Sequence, residues 1–332
     1  MGRILNISRG QCIMGRQHLQ LAFLAFLAFL GVAGCAAYVQ QTPPPATAPA
    51  AAVALSGAAV MVGVGDIARC DSRASGETAT LVDSIVRANV AEKVDVAVFT
   101  LGDNAYTSGT VYQFANCFAP TWGDTAKMIM QNIHPAPGNH EYHSAGADPY
   151  YAYFGKSAGS PGKGHYSYSI GTWHAVVINS EIVVNSGFSS PQRLEQEEWL
   201  RRDLKDNAKE CTVAYWHHPR FSSGTHGSDA RLASIWRILY ENDADLVMVG
   251  HDHNYERFLQ MTPEGVADTL RGIVQIVAGT GGATLRPMQS VRAGNSAFQI
   301  AGRYGVLVLT LGAREFRSAF VETNGAVWDP SG

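Results

Sequence analysis

The sequence predicts an α/β fold, on three observations. Five short apolar runs, at residues 58–64, 94–101, 133–137, 212–216 and 244–249, have the length of strands. Each stops at a side chain able to bind a ligand, often just after a glycine, and open α/β sheets place their sites beyond the carboxyl ends of their strands. Helical signals complete the pattern. Ser190-Pro191 starts a helix running to about residue 207, with Leu200 and Leu204 one turn apart, and residues 231–241 read as another.

Along the chain, the first element is a targeting segment. Residues 19–32, fourteen in all, are apolar apart from Gln20, which suits a signal sequence and is short for a bilayer span. Arg16 and His18 supply its positive side, and Met14 is an alternative start. Val32-Ala33-Gly34-Cys35 resembles a bacterial lipobox, in which the cysteine becomes the lipidated first residue; ordinary secretory cleavage near residues 35–37 is the alternative. Residues 1–35 are therefore expected to be a signal peptide and 36–57 a linker. The Pro-, Ala- and Thr-rich stretch 40–54 has no charge and reads as an extended spacer. The folded domain is expected over 58–332. The protein is expected outside the cytoplasm, lipid-anchored to a bacterial membrane, or soluble and secreted or periplasmic. Its membrane contact is then made only through the lipid.

The strand ends follow in order. The first run leads to Gly65-Asp66 and the second to Gly102-Asp103-Asn104-Ala105-Tyr106. The third leads to Gly138-Asn139-His140-Glu141, the fourth to His217-His218-Pro219, and the fifth to Gly250-His251-Asp252-His253. Further strands are expected at 273–278, 305–311 and 316–322, the last closing at the hairpin signal Asn324-Gly325. Gly279-Thr280-Gly281-Gly282 reads as a turn after a strand rather than a phosphate cradle. Trp173-His174 lies in an alternating strand, and that histidine reads as structural.

The residue types point to metal. Two imidazoles leaving one strand end, as His251 and His253 do, turn to a common point only if something there draws them together; alone they could be incidental to a polar loop. Carboxylates and an amide oxygen suit hard cations, imidazole suits zinc, iron and manganese, and no thiolate is offered. Two aspartates, an asparagine and three histidines exceed the needs of one ion and fit a pair sharing a carboxylate. Tyr106 narrows the choice. A phenol of pKa ~10 is a poor ligand for divalent zinc or magnesium, while its anion suits ferric iron.

Asp66, Gly102-Asp103-x-x-Tyr106, Gly138-Asn139-His140-Glu141, His217-x-Pro219 and Gly250-His251-x-His253 stand in the order found in calcineurin-like metallophosphoesterases. With Tyr106 they resemble the purple acid phosphatase branch, over residues 58–253. The resemblance implies two mixed β-sheets packed as a sandwich flanked by helices, with the metals at the strand ends. It implies an Fe(3+) site of Asp66, Tyr106, His253 and bridging Asp103. It implies a second site of Asn139, His217, His251 and the same Asp103, for Fe(2+), Zn(2+) or Mn(2+). His140 falls at a non-ligand histidine beside the leaving group, and His226 at a substrate-side histidine. The implied reaction is phosphomonoester hydrolysis by a metal-bound hydroxide, with His140 protonating the leaving oxygen. The alternatives are a phosphodiesterase or nucleotidase of the same superfamily, or a non-catalytic surface metal-binding protein. Plant-type members carry an extra amino-terminal β-domain; the spacer leaves no room for one, so a single catalytic domain is expected over 58–332.

Two features depart from the pattern or leave it open. Asp66-Ile67-Ala68 replaces Asp-x-Gly, which matters if that backbone needs positive φ. The His217-His218 doublet leaves open which ring faces the metal, and the His-x-Pro match favours His217. Glu141 and Asp252 read as neighbours that orient histidine tautomers. Tyr142, Tyr255 and Arg257 are assigned to pocket walls or packing, and Asn104 and Asn254 receive no role.

Composition agrees. With 46% hydrophobic and 16% charged residues, the chain can bury one large core or two smaller ones. Without residues 1–34, and so without Arg3, Arg9 and Arg16, 22 basic residues face 28 acidic ones. There is no Lys/Arg run and hence no nucleic-acid footprint, so a small phosphate ester is the expected partner. Beyond Cys12 and Cys35, three cysteines remain. The resemblance brings Cys70 and Cys117 together as a disulfide and leaves Cys211 at a strand start; three free thiols are the alternative.

Overall fold

The computed structural model describes residues 13–14 and 59–331. Among them fourteen strands form two seven-stranded mixed sheets. The chain enters the first sheet with β1 (Ile13–Met14), β2 (Ala59–Val64), β3 (Asp95–Leu101) and β4 (Ile133–Ala136). It builds the second from β5 (Tyr166–Ile170), β6 (Trp173–Val177), β7 (Cys211–Tyr215), β8 (Leu246–Val249), β9 (Tyr255–Phe258), β10 (Val274–Ala278) and β11 (Ser296–Ile300). It then returns to the first with β12 (Gly305–Leu311), β13 (Glu315–Glu322) and β14 (Val327–Ser331).

In the first sheet the order is β1-β13-β12-β2-β3-β4, with β14 also on β13. Strands β2, β3 and β4 run parallel, and β12 is antiparallel to β2. In the second the order is β11-β9-β10-β8-β7-β6-β5, with parallel β6, β7, β8 and β10 at its centre. The parallel strands of both sheets are buried on both faces, which is why they read as unbroken apolar runs. Alternation decides what each face meets. Val213 and Tyr215 join the core between the sheets, whereas Ala214 and Trp216 face the helical layer.

Helix α1 (Ala74–Ala91) covers the outer face of the first sheet with Ala79, Val82 and Val86. Short α2 (Val111–Gln113) has a Thr110–Gln113 capping box and runs into a π-helical turn at Phe114–Phe118. It is followed by α3 (Asp148–Phe154) and α4 (Ser180–Asn185). Helix α5 (Pro191–Asp206) begins where Ser190 Oγ accepts the Arg193 N–H, and it packs with α6 (Ala233–Glu241) on the outer face of the second sheet. The helix expected from residue 231 opens as a 3-10 turn at Ala230–Leu232, where the Asp229 carboxylate accepts the Arg231 N–H.

Cys70 and Cys117 form a disulfide with 4.6 Å between their Cα atoms, joining the loop after β2 to the turn after α2. Cys211 is buried at the start of β7. His174 is buried with Nε2 3.0 Å from Asp203, in keeping with its structural reading. Strand β1 pairs in parallel with Glu315 and Phe316. The rest of the expected leader, with Cys35 and all of the linker 36–57, lies outside the described residues.

Candidate metal centre

Five strand ends supply the site. Asp66 follows β2, Asp103 follows β3, Asn139 follows β4, His217 follows β7 and His251 follows β8. Asp66, Asp103 and His251 have φ of 61°, 52° and 70°, a left-handed conformation that costs a residue with a side chain about 1–3 kcal/mol. Three such residues in one cluster mark a place where the fold holds side chains against local preference. Gly102, at φ 83°, lets the loops close: a Cβ there would stand 2.7 Å from His217 Nδ1. The glycine run after β10 packs beneath them, with Gly281 N–H donating to Gly65 O and Ala283 N–H to Asp66 O.

The first cluster surrounds Tyr106. Its hydroxyl lies 2.8 Å from Asp66 Oδ1, 3.0 Å from Asp103 Oδ2 and 3.2 Å from His253 Nε2. His253 Nδ1 is 2.6 Å from Thr284 O, which can only accept, so Nδ1 carries the proton and Nε2 presents its lone pair. One phenolic proton thus faces three acceptors. The second cluster repeats the arrangement. His217 Nδ1 donates to Leu101 O at 2.7 Å, which turns Nε2 inward. That atom is 3.2 Å from Asp103 Oδ2, 3.0 Å from Asn139 Oδ1 and 3.1 Å from His251 Nδ1. The donor atoms of Asp103, His217 and His251 all lie within 4.8 Å of one another. With those protons removed, the buried lone pairs of the two clusters repel unless cations join them. The donor set therefore fits two cations sharing Asp103.

The electrostatics agree. Burial alone would lower His217, but Asp103 and Asp66 overcome it and push the imidazole up to about 10. Burial, with His217 and His226 nearby, takes His251 down to about 2. Burial and the two aspartates hold the Tyr106 phenol well above its usual value. Both aspartates are buried, which raises them, yet the histidines hold them below the usual carboxylate range.

Around the clusters stand His140 and His226. His140 Nδ1 is 2.6 Å from Thr107 O, and Nε2 is 3.7 Å from Asp103 Oδ2. His226 lies over His251, ring centres 4.1 Å apart, with Nε2 2.6 Å from Arg286 Nη1. All nine residues expected from the sequence are thus brought to one place. Of the doublet, His217 enters the clusters, while His218 Nδ1 turns 2.9 Å from Ser180 Oγ. Ala68 avoids positive φ; its N–H donates to Asn104 O and its carbonyl accepts from Tyr106, so alanine fits without strain.

Glu141 and Asp252 act otherwise than expected. The backbone carbonyls of Leu101 and Thr284, not these carboxylates, set the two histidine tautomers. Glu141 is buried and accepts backbone N–H groups of Asp103, Asn104, Ala105 and Gly138. Burial and the Asp103 charge push it up to about 8, against those donors. Asp252 Oδ1 accepts the His226 N–H at 2.8 Å. Tyr255 and Arg257 pair with Asp329, away from the clusters. The sequence reading missed Arg286: nothing in its neighbourhood signals a site, because it reaches His226 across sixty residues.

The chain belongs to the calcineurin-like phosphoesterase family, whose model matches residues 62–255. Within that family its similarity is to purple acid phosphatases. It is 29% identical over 189 residues to probable purple acid phosphatase 20 of Arabidopsis thaliana, covering 50% of this chain and 41% of that one. The chain thus spans about two fifths of the length of the curated relatives it first matches. Its fold is similar to that of purple acid phosphatase PPD1 from yellow lupin (Lupinus luteus), with a TM-score of 0.67 and 19% identity over 82% of this chain and 53% of that one. It is also similar in fold to GAP50, the anchor in the inner membrane complex of Plasmodium, with a TM-score of 0.64 and 14% identity over 82% and 89% of the two chains.

Proposed function

We propose that the chain is a dimetal phosphoric ester hydrolase of the purple acid phosphatase type, acting on phosphomonoesters. The observation that carries this reading is the pair of lone-pair clusters sharing Asp103 Oδ2. Asp66, Tyr106, His253 and Asp103 would hold ferric iron, which the phenolate favours. Asn139, His217, His251 and Asp103 would hold divalent iron, zinc or manganese. When bound, the two ions supply positive charge against the phosphoryl oxygens and lower the pKa of water at the site.

The protein's own groups do the rest. As the water oxygen bonds to phosphorus, the bond from phosphorus to the leaving oxygen breaks, and that oxygen takes a proton. His140 is placed to give it. Its Nδ1–H is committed to Thr107 O, so Nε2 can donate only when the ring is an imidazolium. His226, fixed by Asp252 and Arg286, lies on the His251 side and can donate to a phosphoryl oxygen.

The proposal extends to location: a domain over 58–332 tethered outside the cytoplasm through Cys35. The Cys70–Cys117 disulfide supports an oxidising compartment. Assay of the metal-loaded protein on p-nitrophenyl phosphate and bis(p-nitrophenyl) phosphate tests the reaction. Higher kcat/KM on the monoester is expected; preference for the diester would replace the monoesterase reading with a diesterase, and turnover of neither would remove the enzyme.

A further inference from the structure

Arg286, in the loop after β10, lies across the rim of the metal centre. Its backbone N–H donates to His253 O at 3.2 Å, beside a ring of the first cluster. Its Nη1 reaches 2.6 Å from His226 Nε2, and His226 lies over His251 of the second cluster, ring centres 4.1 Å apart. The half-buried side chain thus runs from one cluster to the other. Its seat is fixed in advance. Gln289 N–H donates to Ser223 O at 2.8 Å and its Nε2 to Gly224 O at 2.7 Å, which fastens the Arg286 loop to the His226 loop. Asp252 takes the His226 N–H at 2.8 Å.

The charge of Arg286 is left unanswered by the protein. Arg231 and Arg257 each hold a carboxylate, of Asp229 and Asp329, whereas Arg286 has no acidic partner among the described residues. A guanidinium has five N–H donors and no acceptor. The bond to His226 therefore makes Nε2 of that ring the acceptor, and four donors are left without a partner among the described residues. A cation held against a neutral imidazole gains little, but at the rim of a site that takes an anion it offers a charge-assisted fork. Phosphate esters differ in what such a fork can grip. A monoester has three non-bridging oxygens and about two negative charges at neutral pH, a diester two such oxygens and one charge.

We infer that Arg286 is a specificity-determining residue that grips the non-bridging oxygen which a phosphomonoester has and a diester lacks, a role that rests on the hydrolase reading of the centre. The probes are inorganic phosphate, p-nitrophenyl phosphate and bis(p-nitrophenyl) phosphate, on the metal-loaded full chain. Arg286→Met keeps an unbranched side chain and removes the fork; circular dichroism and elemental analysis verify its fold and its metals. In calorimetric titration the variant should bind phosphate about 10–100-fold more weakly than the wild type, the loss expected of a charge-assisted hydrogen bond. The monoester should lose kcat/KM to a similar extent and the diester far less, so their ratio should fall about tenfold or more. Arg286→Lys keeps the charge without the planar fork and should lie between the two. Unchanged phosphate affinity in Arg286→Met would overturn this role. So would loss of its metals, or a ratio that stays at the wild-type value while both rates fall, since Arg286 would then only support the centre. If the wild type turns over neither ester, the hydrolase reading fails, and the phosphate titration still decides whether Arg286 holds a phosphoryl group.

Discussion

Glu141→Gln isolates how much of the centre depends on a residue that touches no metal. Glu141 Oε1 accepts the N–H of Asn104 at 2.8 Å and of Ala105 at 3.2 Å, and Oε2 accepts those of Gly138 at 2.8 Å and Asp103 at 3.0 Å. One carboxylate thus ties the loop carrying Asp103 to the loop carrying Asn139. Glutamine keeps the shape and replaces one oxygen by an NH2 group, so two of the four backbone donors meet a donor. A buried donor left without an acceptor costs about 1–3 kcal/mol, so the substitution should cost about 2–6 kcal/mol. Disturbance of a group supporting metal ligands typically lowers metal affinity about 10–100-fold. Urea unfolding of the metal-free variant and a competitive metal titration read the two effects separately. A variant within about 0.5 kcal/mol of wild type that binds metal equally well would refute the assignment of Glu141 as the clamp between the loops.

The remaining predictions are these. Asp103→Asn should lose both metals and activity, whereas His140→Ala should keep the metals and lower kcat by about 10²–10⁴-fold; equal metal depletion in the two would undo that division of roles. Burial takes His134 down to about 4, opposed weakly by Asp95, while its ring stacks on Tyr168 with centres 3.7 Å apart. Between pH 6.5 and 4 the unfolded chain binds a proton that the folded chain refuses, so stability falls as pH falls through that window, by at most about 3 kcal/mol. His134→Phe keeps the stack, and its urea midpoint should be flatter with pH there; parallel curves would contradict this. Cys35→Ser should block processing or release the protein from membrane fractions with unchanged specific activity, and a free amino terminus at Ala37 or Tyr38 on a soluble wild-type protein would show plain secretion instead.

The centre was legible in the sequence because its donors sit just beyond apolar runs, and those runs are unbroken because β2, β3, β7 and β8 are buried on both faces. Helix α1 escaped notice because its buried face is made of Ala74, Ser75, Thr78 and Ala79 as much as of Val82 and Val86, a weak apolar stripe. The parts played by Glu141 and Asp252 were hidden for a different reason. Their partners are backbone N–H groups, which every residue but proline carries, so residue type cannot signal them. The cavity beside His251 is lined by Asn185 and Arg231 from separate segments of the chain, and no local pattern records that.

Metal content is the most direct test of a centre built on a shared Asp103. Elemental analysis of the full chain, with its visible spectrum, should find two transition-metal ions per chain, one of them iron. A tyrosinate-to-iron charge-transfer band should be present and should bleach in Tyr106→Phe without loss of fold. An active protein holding one metal ion or none would contradict the shared dimetal centre. A colourless protein fully loaded with zinc or manganese would contradict the role given to Tyr106.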